Sequence, residues 1–254
     1  MKKPTLKDYT SLSSNTDIPL EKRLTAKQLT ILRKILLGKS PSLTMVTGSR
    51  CAGRSSVLSV ASLLHALHGD GDVLVVSANQ ERSRLCVRYG IQQWINTVSP
   101  RPYEWGIQHS PLLAFICEKT KNFIYIESME SLRRIHDPYR YYTRYRNVRL
   151  IWFEDLDLFP APTAVPYLFA SRDIETPCKI AINYQIHEWR DDTSLAVSML
   201  KQLITSTHTL MVDPKFTRPE IYHELRRVEA ARRQMLKASN FYKKRDAAIK
   251  KLLD

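Results

Sequence analysis

The chain has 254 residues, 43% of them apolar, and carries 39 Lys and Arg against 25 Asp and Glu, which gives a formal net charge of +14. This apolar content can fill a hydrophobic core, so a disordered chain is excluded, and no run approaches the ~18 apolar residues of a membrane span. The basic excess indicates a polyanionic partner, with nucleic acid as the default and an anionic membrane surface as the alternative.

The cysteines are far apart in the sequence and never form a C-x-x-C pair; they are Cys51, Cys86, Cys117 and Cys178. This spacing argues against a zinc site and against a disulfide framework. Two lysines follow Met1 without an apolar stretch behind them, which is not the pattern of a secretory signal. A reduced, cytosolic setting fits these features best.

The N-terminal third of the chain begins with a polar segment and continues with a strand between two helices. Residues 1–18 are rich in Ser, Thr and Lys and are predicted to be a mobile lead-in. Leucines at helical spacing predict an amphipathic helix over residues 19–37, which ends at Gly38. A short β-type run follows at 43–47, and an apolar helix is predicted over 55–69.

Buried strands alternate with helices along the middle of the chain. A strand predicted at 73–76 completes a strand–helix–strand unit of about thirty residues, which calls for a parallel sheet. A helix is predicted at 87–98, and further strands are predicted at 123–126, 150–153, 179–183 and 209–212. The sequence therefore predicts an α/β fold with a mainly parallel central sheet that is flanked by helices.

The composition changes after residue 212. The segment from Thr217 to Glu220 has the spacing of a capping box, and Lys and Arg outnumber Asp and Glu from there to the end. We predict three parts: the lead-in 1–18, an α/β domain over 19–212, and a basic helical segment over 213–254.

A G-x-x-x-x-G-[K/R]-S pattern lies between the first predicted strand and the helix after it. Backbone N–H groups and the helix N-terminus of such a loop can cradle phosphates, and the hydroxyl of Ser55 is placed to hold Mg²⁺. The pattern predicts a binding site for ATP and Mg²⁺, built from Gly48, Ser49, Arg50, Cys51, Ala52, Gly53, Arg54, Ser55 and Ser56.

Arg54 stands where this pattern usually has lysine. Arginine keeps the positive charge, but it is a wide planar fork rather than a compact point charge. Arg50, inside the loop, offers a second cation. We expect both arginines to act on the phosphates during catalysis.

Two carboxylates, Glu154 and Asp155, end the apolar run Leu150 to Phe153. A P-loop NTPase needs such a pair beside its phosphate loop, because one acid holds the Mg²⁺ shell and the next polarises the attacking water. We assign Glu154 to the metal and Asp155 to the water, with Asp157 as the alternative to Asp155. The two motifs predict a P-loop NTPase fold of the RecA/ASCE type.

These motifs resemble those of phage terminase large subunits. The loop at 48–55 resembles the family's G-[GS]-R-G-S-G-K-S loop, including its internal arginine, and the run 151–155 resembles its apolar strand ending in two acids. The segment 182–189 resembles the family's strand ending in N-P with H-W nearby, which places the coupling residue at Asn183. Gln28 stands where the family often has an adenine-contacting glutamine.

The resemblance spans roughly residues 19–245 and implies the N-terminal ATPase domain of a DNA-packaging motor. It implies ATP hydrolysis coupled to translocation of double-stranded DNA into a procapsid, in a homo-oligomeric ring in the cytoplasm of an infected bacterial host. The implied partners are the portal or procapsid and the small terminase subunit, with no membrane.

The sequence departs from the family at three points. Arg54 replaces the loop lysine, Tyr184 replaces the proline of the coupling motif, and the family's C-terminal nuclease domain is missing. We therefore expect no nuclease activity from this chain, which is either an excised ATPase portion or works with a separate nuclease chain.

Arginines interleave with tyrosines between residues 133 and 149; they are Arg133, Arg134, Arg140, Arg144, Arg146 and Arg149, with Tyr139, Tyr141, Tyr142 and Tyr145. Such a mixture suits phosphate contacts and stacking on bases or sugars, or it supplies an arginine finger to a neighbouring subunit. The candidates for DNA contact or a finger in trans are Arg140, Arg144 and Arg146; Arg82, Arg84 and Arg88, just past the strand at 73–76, are rival finger candidates.

Two other functions remain open at this point. A non-hydrolysing nucleotide-binding scaffold of a packaging or replication complex is favoured by Arg54 and opposed by the intact acid pair. A helicase-like or DNA-binding protein that takes no nucleotide predicts no change in thermal stability with ATP. The seven scattered histidines are interpreted as structural, because no third ligand accompanies His65 and His68.

Overall fold

The computed structural model describes residues 23–38, 42–48, 52–69, 71–98, 105–109, 113–132, 145–156, 178–185 and 206–210. The chain divides into two compact units, Met1–Met211 and Val212–Asp254, and all of these residues belong to the first unit. The predicted lead-in 1–18 and basic segment 213–254 lie outside the described residues.

One eight-stranded sheet organises the described residues. In chain order its strands are β1 Ser42–Gly48, β2 Asp72–Ser77, β3 Trp105–Gln108, β4 Leu113–Cys117, β5 Phe123–Ser128, β6 Val148–Phe153, β7 Lys179–Gln185 and β8 Ser206–Leu210. Their order across the sheet is β3-β4-β5-β2-β6-β7-β1-β8. Neighbours from β5 to β8 pair in parallel, whereas β4 runs antiparallel to both β3 and β5.

Helices occupy much of the chain between these strands. They are α1 Ala26–Leu37, α2 Arg54–His68, α3 Gln80–Arg82, a π-helical segment Ser83–Arg88, α4 Tyr89–Val98 and α5 Met129–Leu132. Within the described ranges, no helix is long and apolar enough to cross a membrane.

The hydrophobic core lies on both faces of the sheet. Alternate residues of β2 divide between the faces: Val75 belongs to the cluster that includes α1, α2 and α4 residues, and Leu74 belongs to the cluster on the opposite face. A parallel strand that is buried on both sides reads as a continuous apolar run. This is why residues 73–76 could be recognised as a strand in the sequence.

The predicted α/β class and mainly parallel sheet are confirmed, but several element boundaries are wrong. Helix α1 begins at Ala26 rather than at residue 19, because Thr25 caps it and forms a capping box with Gln28. The helix predicted at 87–98 is preceded by helical turns from Gln80. Strand β8 begins at Ser206, three residues before its predicted start, because its polar residues pair with β1 along its length.

Strands β3 and β4 were not predicted. They are short, with four and five residues, and they lie at one edge of the sheet. Gly106 interrupts the β-type composition of β3, and glycine in a strand interior weakens the sequence signal. The strands are stabilised by antiparallel pairing, β4 with β5 and β3 with β4, rather than by local propensity.

Candidate nucleotide-binding site

The phosphate loop (residues 48–56) and the acid pair (Glu154 and Asp155) both follow strands at the carboxyl edge of the sheet, which is the side on which its parallel strands end. Strand β1 ends at Gly48, where the loop begins, and β6 ends at Phe153, just before Glu154. The two strands are separated by β7 alone, and all three are parallel. Their carboxyl ends therefore meet at one edge, which is where open parallel sheets bind ligands.

Both glycines of the loop lie where a larger residue would collide. Gly48 has φ +142°, and a Cβ there would lie 2.1 Å from the carbonyl oxygen of Leu210. Gly53 has φ +80°, and a Cβ there would lie 2.3 Å from Nε2 of Gln28. As the N-cap of α2, Gly53 supplies no side-chain hydrogen bond to that helix. The N-terminus of this 15-residue helix therefore has no side-chain cap from its N-cap residue, and a helix N-terminus of this kind can bind an anion.

Gln28 links α1 to the phosphate loop. Its Oε1 accepts a hydrogen bond from the backbone N–H of Thr25 at 2.8 Å, and its Nε2 donates to the carbonyl oxygen of Ala52 at 3.2 Å. The side chain is buried. These bonds give Gln28 a structural role at the loop, while its contact with adenine stays a prediction.

Ser55 and Glu154 bring the two motifs into direct contact. The Ser55 hydroxyl donates to Oε1 of Glu154 at 2.5 Å. Glu154 is only 2% exposed, and its backbone N–H donates to the carbonyl oxygen of Val76 at 2.8 Å. One serine hydroxyl and one carboxylate are hard oxygen ligands of the kind Mg²⁺ prefers.

Ser55 and Glu154 fit a site for Mg²⁺ better than a site in which protein side chains supply every metal ligand. Nowhere in the part of the chain that the structure describes do three or more His, Cys, Asp or Glu side chains group as metal ligands. Mg²⁺ in nucleotide sites commonly takes one or two protein groups and completes its shell with phosphates and water. Ser55 and Glu154 match that pattern.

Arg54 and Asp155 form a second contact between the loop and the acid pair. Arg54 is 7% exposed; its Nη1 donates to the carbonyl oxygen of Gly48 at 2.9 Å, and its Nη2 lies 3.8 Å from Oδ1 of Asp155. Asp155 has φ +49°, a left-handed conformation that Asp adopts more readily than most residues. This turn at the strand end directs the adjacent carboxylates of Glu154 and Asp155 to different partners.

Several predicted site residues are only partly described. Ser56 lies in the first turn of α2, and Asn183 lies in β7 opposite Val46 of β1. Arg82 ends α3 and Arg84 lies in the π-helical segment, both soon after β2. The side chains of Asn183, Arg82 and Arg84 fall outside the described part of the structure, as do Ser49, Arg50, Cys51, Asp157, Arg133, Arg134, Arg140 and Arg144.

Arg146 lies at the opposite edge of the sheet from Glu154. It is exposed in the turn that precedes β6, and the six residues of that strand separate it from the acid pair, which amounts to about 20 Å. Arg146 thus lies at the amino end of β6, whereas Glu154 lies at its carboxyl end. Contact of Arg146 with DNA or with a neighbouring subunit stays a prediction.

Tyr145 is not available to stack on a base, contrary to the role considered for the tyrosines. It is buried, and its hydroxyl donates to Oε1 of Glu127 at 2.5 Å. Its ring packs against that of Tyr125 with centroids 5.5 Å apart. Tyr145 instead fixes the end of the Arg- and Tyr-rich segment to the sheet.

Trp152 is a site residue that the sequence interpretation missed. Its indole Nε1 donates to Oε2 of Glu154 at 2.8 Å. Residues two apart on a strand share a face, and a buried indole N–H needs an acceptor. The combination of a tryptophan and a carboxylate at that spacing was the available signal.

The fold of this chain is similar to that of known proteins. No protein-family model and no curated protein matches the chain, but solved structures do. The large terminase of a thermophilic bacteriophage is 12% identical with a TM-score of 0.53, and the match covers 74% of this chain and 45% of that chain. The same terminase in complex with ATP-γ-S is 11% identical with a TM-score of 0.52, covering 77% and 46% of the two chains.

A third match is the same phage terminase in complex with ADP, which is 12% identical with a TM-score of 0.50; the match covers 76% of this chain and 48% of that chain. The chain thus spans a little under half the length of the terminases it matches. The resemblance to phage large terminases is confirmed at the level of the fold, which this chain shares with them.

Proposed function

We propose that this chain binds ATP with Mg²⁺ at the carboxyl edge of its sheet and hydrolyses it as the motor domain of a viral DNA-packaging terminase. The observation that carries this proposal is the 2.5 Å hydrogen bond between Ser55 and Glu154. It joins the two residues proposed to hold the metal, which belong to motifs 99 positions apart in the chain. The fold shared with a large terminase that has been solved with ATP-γ-S supports the same conclusion.

Each group of residues has its own proposed role in phosphoryl transfer. The N-terminus of α2 and the loop from Gly48 to Ser56 would hold the phosphates, and Ser55 and Glu154 would hold Mg²⁺. A bound Mg²⁺ would supply positive charge that offsets the charge of the phosphates. Asp155 orients and deprotonates the attacking water, which is the task of a positioned general base.

Arg54 sets the rate in this proposal. Its guanidinium already contacts the Gly48 carbonyl oxygen and lies beside the Asp155 carboxylate. A planar guanidinium prefers two parallel hydrogen bonds, whereas a lysine ammonium sits between β- and γ-phosphate oxygens as a point charge. We therefore propose that nucleotide binds well and that the isolated chain turns it over slowly, with Arg50 compensating in part.

Double-stranded DNA is the proposed substrate for movement. The support is the net charge of +14 and the exposure of Arg146 at the edge of the sheet opposite the nucleotide site. We further propose a homo-oligomeric ring, in which such an arginine reaches DNA or the next subunit, and assembly with a portal or procapsid and a small terminase subunit in the infected cell. These partners follow from the resemblance to terminases.

A second candidate is a nucleotide-binding scaffold that does not hydrolyse ATP. Arg54 is the specific observation that favours it, because the cation of the phosphate loop is paired with the carboxylate assigned to the water. The two candidates agree on nucleotide binding and differ on turnover. Hydrolysis in the presence of DNA separates them.

The experiment that tests the nucleotide site is thermal unfolding with Mg–ATPγS. Ligand at 100 times its Kd adds about 2.7 kcal/mol to the free energy of unfolding, so the midpoint should rise for the unmodified chain. Ser55→Ala, which removes the hydroxyl at the metal position, should reduce this rise. Ser131→Ala, in the short helix α5, is the matched control and should leave it unchanged. No shift at millimolar nucleotide would contradict the proposal.

A further inference from the structure

The carboxylate of Glu154 is held by different donors at its two oxygens. Oε1 accepts from the Ser55 hydroxyl at 2.5 Å, and Oε2 accepts from the indole N–H of Trp152 at 2.8 Å. Trp152 is 1% exposed. The indole therefore has no solvent-exposed alternative for its N–H, and the carboxylate plane is fixed between two elements, α2 and β6.

The indole is held rigidly where it makes this bond. Trp152 lies in β6, and Glu154 follows one residue after the strand ends, two positions along the chain. Trp152 belongs to the core cluster that contains buried residues of α2, among them Val57 and Leu64. A large aromatic side chain in a close-packed core does not change rotamer easily, so its N–H keeps a constant direction.

We propose that Trp152 is a positioning residue that sets the metal preference of the site. Its N–H binds Oε2 of Glu154, so a metal would contact Oε1, the oxygen that also accepts from the Ser55 hydroxyl. The carboxylate is thereby restricted to contact through one oxygen. This inference rests on the proposed function, because it assigns Trp152 to the Mg²⁺ site of the nucleotide-binding centre.

Contact through one oxygen favours Mg²⁺ over Ca²⁺. Mg²⁺ demands near-ideal octahedral geometry, whereas Ca²⁺ takes six to eight ligands and accepts carboxylates through both oxygens. Removal of the indole N–H frees Oε2 for the metal. The site should then lose affinity for the magnesium complex and accept the calcium complex more readily, whereas general damage to the fold would weaken both.

The test compares the dissociation constants of Mg–ATPγS and Ca–ATPγS, measured by isothermal titration calorimetry, for the unmodified chain and for Trp152→Phe. Loss of a group that orients a metal ligand typically costs about 10–100-fold in metal affinity. We expect the preference for magnesium over calcium to fall by about tenfold or more. An unchanged preference would overturn the inference while leaving the nucleotide site intact.

The matched control is Trp105→Phe. Trp105 is also buried, but it lies in the edge strand β3, and its Nε1 has no hydrogen-bond partner among the described residues. This variant should keep the metal preference of the unmodified chain. If the unmodified chain binds neither complex, the proposed function fails, and the inference fails with it.

A measurement on the unmodified chain covers the case in which Trp152→Phe does not fold. The indole N–H resonance of Trp152 can be assigned in NMR spectra by elimination, using Trp94→Phe, Trp105→Phe and Trp189→Phe. Addition of Mg²⁺ to the ATPγS complex should shift the Trp152 resonance, because the metal draws electron density from the carboxylate that accepts its proton. A resonance that does not respond to Mg²⁺ would overturn the inference.

Discussion

The hydroxyl oxygen of Ser55 lies 2.5 Å from Oε1 of Glu154, although the two residues are 99 positions apart in the chain. The contact exists because β1 and β6 are parallel and separated by one strand. The start of α2, which follows β1, and the carboxylate of Glu154, which follows β6, therefore lie at the same carboxyl edge of the sheet. The chemistry of the site follows from this topology.

Asp155→Asn is expected to preserve nucleotide binding and to lower the hydrolysis rate by about 10²–10⁴-fold, the usual contribution of a positioned base. Asn tolerates a left-handed backbone as Asp does, so the turn at φ +49° should remain. Steady-state hydrolysis and ATPγS affinity measure the two effects separately. Hydrolysis at the parent rate would show that another acid acts on the water, and Asp157 would become the candidate.

Arg54→Lys is expected to increase turnover severalfold and to leave nucleotide affinity nearly unchanged. Lysine replaces the planar fork by a compact charge that fits between phosphate oxygens. It also removes the guanidinium that lies 3.8 Å from Asp155. The turnover number is measured with and without DNA, beside Arg33→Lys on the exposed face of α1 as the control. A lower rate for Arg54→Lys would mean that this site uses the guanidinium geometry.

Gln28→Ala is expected to lower the free energy of unfolding by roughly 1–3 kcal/mol, the cost of leaving buried polar groups without partners. The groups affected are the buried carbonyl of Ala52 and the half-buried N–H of Thr25. Gln93→Ala, at an exposed position of α4, is the matched helical control. Denaturant unfolding compares the two variants. Equal stability would indicate that the bond from Gln28 to the loop contributes nothing.

Stability should fall as the pH falls below 6.5, in part through His65. Burial, and then the charges of Lys179 and Arg149, lower the pKa of His65 from 6.5 to about 4. The unfolded state therefore binds more protons than the native state between these values, and stability rises with pH across this window. At 1.36 kcal/mol per pH unit, the free energy of unfolding lost through His65 approaches roughly 3 kcal/mol when the pH falls to 4.

The variant His65→Leu should have a shallower loss of stability between pH 7 and pH 5 than the unmodified chain. Part of the pH dependence of the free energy of unfolding should remain, because burial also lowers the pKa values of His68 and His208. His109→Leu, at an exposed position, should retain the full slope. Unfolding by urea at a series of pH values gives the comparison, and identical slopes for all three proteins would contradict the assignment.

The sequence predicts the central strands and the two motifs because their signals are local. Residues 73–76 of β2 and 150–153 of β6 are apolar on both faces, and the loop glycines mark the turn into α2. The π-helical segment and the bonds from Trp152 and Gln28 could not be predicted in the same way. The bond from Gln28 depends on a carbonyl 24 residues away, that of Ala52, whereas Trp152 and Glu154 are close in sequence and their bond depends on how the chain turns after β6.

The adjacent acids show the same limit. The sequence indicates a carboxylate pair at residues 154 and 155, but their separate partners depend on the left-handed conformation of Asp155. That conformation directs one acid to Ser55 and the other toward Arg54. The sequence alone could only predict that Glu154 binds the metal and that Asp155 acts on the water.

The most direct measurement of the central claim is ATP hydrolysis by the unmodified chain with and without linear duplex DNA, beside Glu154→Gln. We predict a Mg²⁺-dependent rate that rises with DNA and is lost in Glu154→Gln, because the amide cannot supply the charge that the metal requires. Glu130→Gln, which removes an exposed carboxylate of α5, should behave as the unmodified chain. Binding of ATPγS without any hydrolysis on DNA, or equal rates for Glu154→Gln and the unmodified chain, would contradict the motor assignment.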